Sequence, residues 1–211
     1  MKTLFISFYS DNSNLPTPTQ AHLGNVRRPV GRLGRRGSNY YSDCFTKLSK
    51  RFKALGAEFY AEQLPSRNNY LLNCLKKPRF ILDCIEKFDT PVIWIDVDSG
   101  LRRLPVLMDS CSTDIGSPIR SGEKPEHVKH NIHAGLLFFN NTKNTKSLLK
   151  QWIKLCNKAA KLTEVGKSKA GDHSILLNLI SNTDDITVTE YPEDLFSQKA
   201  ELNPCVLGRF S

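Results

Sequence analysis

The chain has 211 residues, a hydrophobic share of 39%, a charged share of 24% and a formal net charge of +9. That length accommodates one domain with a core needing no staples, the composition is that of an ordinary globular protein, and no segment approaches a membrane span. The charge implies attraction to something anionic (nucleic acid, an acidic membrane or phosphorylated small molecules) or a lysine excess that only keeps the protein dissolved.

Residues 3–9 are apolar enough for a first strand, and Ser10-Asp11-Asn12-Ser13 ends it. From Asp11 to about Ser42 the chain carries Pro16, Pro18, Pro29 and the basic cluster Arg27, Arg28, Arg32, Arg35 and Arg36. A stretch of this length is expected to be a loop, placed to fold over a ligand with its arginines on phosphate, or else a solvated loop. Cys44, Phe45, Leu48, Phe52 and Leu55 have helical spacing and Gly56 supplies the stop. Ala57–Leu64 reads as a second strand and Tyr70–Leu75 as a short helical turn. Pro78 opens a helix over Arg79–Phe88.

Pro91-Val92-Ile93-Trp94 then leads into Ile95-Asp96-Val97-Asp98. The β-branched and aromatic run reads as a buried strand, and the two carboxylates should emerge where that strand leaves its sheet. In open α/β sheets this carboxyl end is where ligands bind. Two Asp residues there suit a hard divalent cation shared with a phosphate; the plainer alternative is a capped turn into Ser99-Gly100.

Further on, Ile115–Ile119 is a weak strand and His133–Asn140 a strongly apolar one. Asn144–Leu162 reads as an amphipathic helix, with Leu148, Leu149, Trp152, Leu155, Cys156 and Ala159 on one side. Lys146, Lys150, Lys154 and Lys158 form a basic stripe, either a plain solvated face or a surface for anions. Gly171–Ile180 is a further helix, Ile186–Glu190 a strand and Cys205–Phe210 a last strand. Alternating strands and helices indicate an α/β fold. The six cysteines show no zinc-type spacing and read as reduced thiols, and the N-terminus does not form a signal peptide, so a cytoplasmic chain is expected. The ending, without a closing helix, suggests part of a longer polypeptide.

Taken in order, the opening strand, the helix from Lys77-Pro78-Arg79, Asp96-Val97-Asp98, His133-Ala134-Gly135-Leu136-Leu137-Phe138-Phe139-Asn140 and Gly171-Asp172-His173 resemble the GT-A glycosyltransferases. Within that family the chain is similar to chlorella-virus members that build capsid glycans. The resemblance covers roughly Thr3 to Ile180. It implies one GT-A domain over 1–211, Rossmann-like, with a mixed, mostly parallel sheet, a nucleotide-sugar half at about 1–110 and an acceptor half at about 111–211. It also implies transfer of a hexose or deoxyhexose from a UDP-sugar to a glycan acceptor with Mn²⁺ or Mg²⁺, by a monomer with no nucleic-acid partner.

By the same resemblance Asp98 would bind the metal directly. Asp96 would contact the ribose or the metal, alone or through water, with Val97 between them at the nucleotide. Ser7, Phe8 and Tyr9 would lie beside the base, although Phe8 also suits the core. Arg79 would pair with the diphosphate or a neighbouring Asp, and Ala134 and Gly135 would let backbone approach the sugar, unless the glycine only serves packing within a sheet. Asp172 would be the catalytic base or an acceptor contact, unless it only caps its helix. His173 stands where many members have Gln. No His follows it to serve as a third metal ligand, and His133 is a weak substitute. The rivals are a haloacid-dehalogenase-type phosphatase, with Asp184-Asp185 as its distal acidic pair, and a basic nucleic-acid-binding module. A phosphatase would carry its Asp-X-Asp on the first strand, and a nucleic-acid module leaves Asp96 and Asp98 unexplained.

Overall fold

The computed structural model describes residues 3–10, 39–67, 69–120, 129–168, 170–197 and 204–207. The arginine-rich segment lies outside these up to residue 38, as does the end of the chain after Leu207. Strands β1 (Leu4–Tyr9), β2 (Phe59–Gln63), β3 (Val92–Ile95), β5 (Ile115–Pro118), β6 (Leu136–Phe139) and β7 (Val188–Tyr191) form one sheet in the order β2-β1-β3-β6-β5-β7. Only β6 runs against its neighbours, pairing antiparallel with both β3 and β5, so the sheet is mixed and mostly parallel. A second, small sheet has the order β4-β9-β8, from β4 (Gly100–Leu101), β8 (Phe196–Ser197) and β9 (Val206–Leu207). The weak strand expected near Ile115 is thus an interior strand of the large sheet.

Alternation along β1 sends Leu4, Ile6 and Phe8 to one face and Phe5 to the other, and each face is covered by its own helices. Helix α1 (Tyr40–Ala54) buries Leu48 and Phe52 beside Phe5, Ile93 and Ile95. It ends at Leu55, and Gly56 takes the left-handed conformation (φ 65°) that its lack of a Cβ permits. On the opposite face pack α2 (Tyr70–Cys74), α3 (Lys77–Phe88), α4 (Lys143–Glu164) and α5 (Asp172–Ser181). Fully buried Ile81, Ile85, Leu149 and Trp152 contribute about 1.5–3 kcal/mol each by leaving water.

This wiring creates the crevice. From β1 the chain goes by α1 to β2 on one side and then, by α2 and α3 over the other face, to β3 on β1's other side. The carboxyl ends of β1 and β3 are therefore a topological switch point, where open α/β sheets bind ligands.

The far half of the sheet is tied by Asp114. Its carboxylate accepts from Thr142 Oγ1 (2.6 Å), Thr187 N (3.0 Å) and Thr187 Oγ1 (2.8 Å), joining β5 to the start of α4 and the approach to β7. Burial opposes its charge, but the hydrogen bonds from Thr142 and Thr187 outweigh that and hold its pKa below the usual Asp value. The stabilisation is therefore complete above the unfolded-chain pKa of about 3.9 and is lost as pH falls through the lower folded value. Asp114→Ala is expected to cost about 3 kcal/mol in urea unfolding at neutral pH, the deficit shrinking in acid.

Candidate active site

Asp96 follows the last residue of β3 and starts a turn closed by Ser99 N donating to Asp96 O (2.9 Å), which leaves Asp98 half-buried on the turn. The turn runs straight into β4, which β9 pairs, so the C-terminal segment braces it from outside the large sheet. Asp96 also donates its backbone N–H to Gly135 O (2.9 Å), linking the motif to the lead-in of β6.

The centre of the site is a lysine. Lys77 is the first residue of α3, 5% exposed, and its ammonium reaches Asp172 Oδ2 (2.8 Å), Asp96 Oδ1 (3.1 Å) and Ala134 O (3.1 Å). The contacts to Asp96 and Ala134 are hydrogen bonds, and the one to Asp172 is an ion pair. Burial pulls the Lys77 pKa down, but the Asp172 and Asp96 charges outweigh it and hold the ammonium above its ordinary value. Trp94 lies under it, ring centroid 4.9 Å from Nζ, and donates its indole N–H to the same Asp96 oxygen at 2.8 Å. Asp96 Oδ1 is thus fixed by two donors, and Oδ2 accepts nothing from the described residues.

Asp172 is not the cap of α5. Gly171 holds that position, and the Asp172 carboxylate turns inward to Lys77 and is 7% exposed. Trp152 donates to its backbone oxygen (3.1 Å), fixing the start of α5 against α4. Beside it lie two neutral imidazoles. His133 Nδ1 accepts from Gly135 N (3.0 Å), and burial pushes its pKa down to about 4. His173 Nε2 donates to Ile132 O (3.0 Å), and burial lowers its pKa as well. Cys74, next to Lys77, is a neutral thiol, its pKa pushed up to about 12 by burial and by Asp172.

The structure therefore brings Asp96, Asp172 and Ala134 together around Lys77, with Asp98 on the adjoining turn and Val97 buried beneath it. It does not bring Arg79, which stands on the exposed face of α3, 3.8 Å from Asp83, the neighbouring-Asp alternative. Phe8 packs edge-on against Phe80 and tilted against Trp94 in the core, and Ser7 is wholly buried. Tyr9 is stacked on Phe45. Gly135 serves packing: an added Cβ would meet Phe196 Cζ at 2.6 Å, so the ring of Phe196 fills the space expected to admit backbone to a sugar. Asp184 lies on an exposed turn paired with Lys129 (2.7 Å), apart from this constellation. Lys77 and Trp94 were both missed from sequence.

Among the described residues no three His, Cys, Asp or Glu side chains converge as a metal cage. The donors present, Asp98 and the second oxygen of Asp96, are hard oxygens. They fit an ion that takes one or two carboxylates and completes its shell with phosphate and water, as Mg²⁺ does.

Lys77→Met is expected to lower stability by about 3 kcal/mol at neutral pH, because it strands the buried carboxylate of Asp172 and removes a donor from the half-exposed Asp96. Thermal unfolding of the variant beside the wild type reads the deficit. His133, neutral in the folded chain, contributes stability present above its unfolded pKa of about 6.5 and lost as pH falls through its folded value of about 4. His133→Gln should flatten the wild-type decline in that window.

No protein-family model matches the chain, and no curated protein matches it in sequence. Solved structures do. A glycosyltransferase involved in the glycosylation of the major capsid of PBCV-1 matches with TM-score 0.61 and 13% identity, over 97% of this chain and 92% of that one. Galactosyltransferase LgtC, solved in complex with donor and acceptor sugar analogs, matches with TM-score 0.52 and 13% identity over 100% and 87%. The apo glycosyltransferase GlyE of Streptococcus pneumoniae TIGR4 matches with TM-score 0.53 and 14% identity, the chain spanning 55% of its length. At these identities the likeness speaks for architecture: the chain has the GT-A fold of these glycosyltransferases.

Proposed function

We propose that the protein is a metal-dependent glycosyltransferase moving a hexose or deoxyhexose from a uridine diphosphate sugar to a glycan acceptor. The observation that carries this reading is the Lys77-tethered pair of Asp96 and Asp172 at the carboxyl edge of β1 and β3, in a fold shared with glycosyltransferases. A capsid glycan is the acceptor class suggested by the PBCV-1 neighbour.

Asp98 and Asp96 would hold a Mn²⁺ or Mg²⁺ ion. When bound, such an ion neutralises charge growing on a departing diphosphate. The chain's own residues do the rest. Trp94 and Lys77 fix Asp96 Oδ1 from inside, so its outer oxygen serves the ribose or the ion. Lys77 also sets the distance between the donor carboxylate and Asp172, a positioning task on which transfer rates depend steeply. Asp172, buried and ion-paired with Lys77, is the base offered to the acceptor hydroxyl. His133 and His173, both neutral, line this side without adding charge.

Two variants test the assignment. Asp98→Ala should abolish Mn²⁺-dependent binding of the UDP-sugar in calorimetry while the unfolding temperature stays put; unchanged binding would overturn the metal role. Asp172→Asn should lower kcat by about 10²–10⁴-fold with donor affinity changed only a few-fold. Mn²⁺-dependent hydrolysis of a panel of nucleotide sugars identifies the donor.

A further inference from the structure

Helix α4 carries a surface that the transfer chemistry does not use. Lys143, Lys146, Lys150, Lys154, Lys158 and Lys161 fall within a narrow arc, each residue advancing about 100° around the axis. The arc lies opposite the buried stripe of Leu148, Leu149, Trp152 and Cys156. The helix has one acid, Glu164, and Arg67 holds it in an ion pair. None of the six lysines has a carboxylate partner among the described residues. Six like charges on one side of a 22-residue helix repel one another and weaken it unless counter-charge arrives from outside.

Apolar groups flank the stripe on both sides. Leu155 and Leu162 are exposed along one edge, with Val165 just past the helix end. Along the other edge Lys150, Lys154, Lys158 and Lys161 border a shallow cleft of about 440 Å³ that includes Ile153 and Asn157. Through those two residues it continues into a groove of about 320 Å³ between α2, α3 and α4, floored by Leu72, Leu75, Phe80 and Ala160.

We propose that this face of α4 docks the protein on a membrane surface rich in anionic phospholipid. A straight lysine row with aliphatic side chains beside it matches a plane of phosphate headgroups with acyl chains beneath, the pattern of helices lying in the interface. Lysine stems also place their methylenes along apolar surface while the ammonium stays at headgroup level. A nucleic acid fits less well, because the arc presents neither arginine for base edges nor an aromatic for stacking; the helix's one aromatic, Trp152, is fully buried. No helix among the described residues is long and apolar enough to cross a membrane, so the contact is peripheral.

Co-sedimentation of the whole chain with phosphatidylcholine vesicles, with and without phosphatidylglycerol, tests this at low and high salt. The expected result is binding only to the anionic vesicles, reversed by salt. The triple variant Lys150→Gln, Lys154→Gln, Lys158→Gln should bind on the order of a hundredfold more weakly, about fivefold per lysine. Leu155→Ser with Leu162→Ser should weaken binding in a salt-insensitive way. All variants are checked for wild-type circular dichroism, and these exposed positions leave the fold intact. Equal binding to neutral vesicles, undiminished binding of the triple variant, or retention on duplex DNA without vesicle binding would each overturn the proposal.

Discussion

One buried ammonium holds the site together. Lys77 occupies the first turn of α3, where the helix dipole disfavours a cation, and it is removed from water, which disfavours it further. Two carboxylates and a carbonyl oxygen offset both costs. The dependence is mutual: without the ammonium, the buried Asp172 carboxylate would lose its counter-charge and Asp96 one of its two donors. A helix start, a strand end and a second helix start, far apart in sequence, are thereby fixed to one nitrogen.

The sheet makes that meeting geometrically available. Parallel β1 and β3 put Asp96 at their carboxyl edge, and the crossover by α3 delivers its N-terminus to the same edge. The reversed strand β6 begins where β3 ends, as the pairing of Ile95 with Leu136 shows, so the residues leading into it, His133 to Gly135, arrive beside Asp96. Phe196 then closes over Gly135, and β9 pairs with β4 beyond the Asp98 turn. The C-terminal segment is thus a wall of the site, and His133 lies against it with its ring 4.1 Å from that of Phe196.

Most of the framework was legible because it rests on local periodicity. The apolar run into Asp96, the 3.6-residue stripe of α4 and the short strands around Ile115 and Val188 all formed close to where the residues placed them. The choice of Arg79 over Lys77 illustrates what was readable and overlooked. Lys77, Ile81 and Ile85 are spaced four apart and share the buried stripe, whereas Arg79 is in phase with Asp83 and Glu86 on the wet side. A lysine in phase with a core stripe and just before a helix-opening proline breaks two local preferences at once, which is where function tends to reside. A packing role for Gly135 was one of its two readings, but its partner was beyond reach, an aromatic some sixty residues onward set by tertiary packing alone. The direction of β6 was equally hidden, because alternation is the same read either way along a strand.

Why two aspartates rather than one follows from the same ammonium. If Asp96 and Asp98 both faced an anionic ligand with nothing behind them, their charges would oppose a diphosphate's approach. Lys77 and the Trp94 indole take one oxygen of Asp96 from within, so much of that carboxylate's charge is compensated before any ligand arrives. Asp98 is carried by the turn, half-buried and two positions further along the chain. The pair thus has an inner member whose carboxylate is oriented by Lys77 and Trp94 and a second member carried outward by the turn. The turn, closed by Ser99 N on Asp96 O, is what carries Asp98 away from the strand that holds the inner carboxylate. Inserting a residue into that turn would separate Asp98 from the edge of the sheet while leaving the Lys77 cluster whole, which is why the spacing of the motif matters as much as its carboxylates.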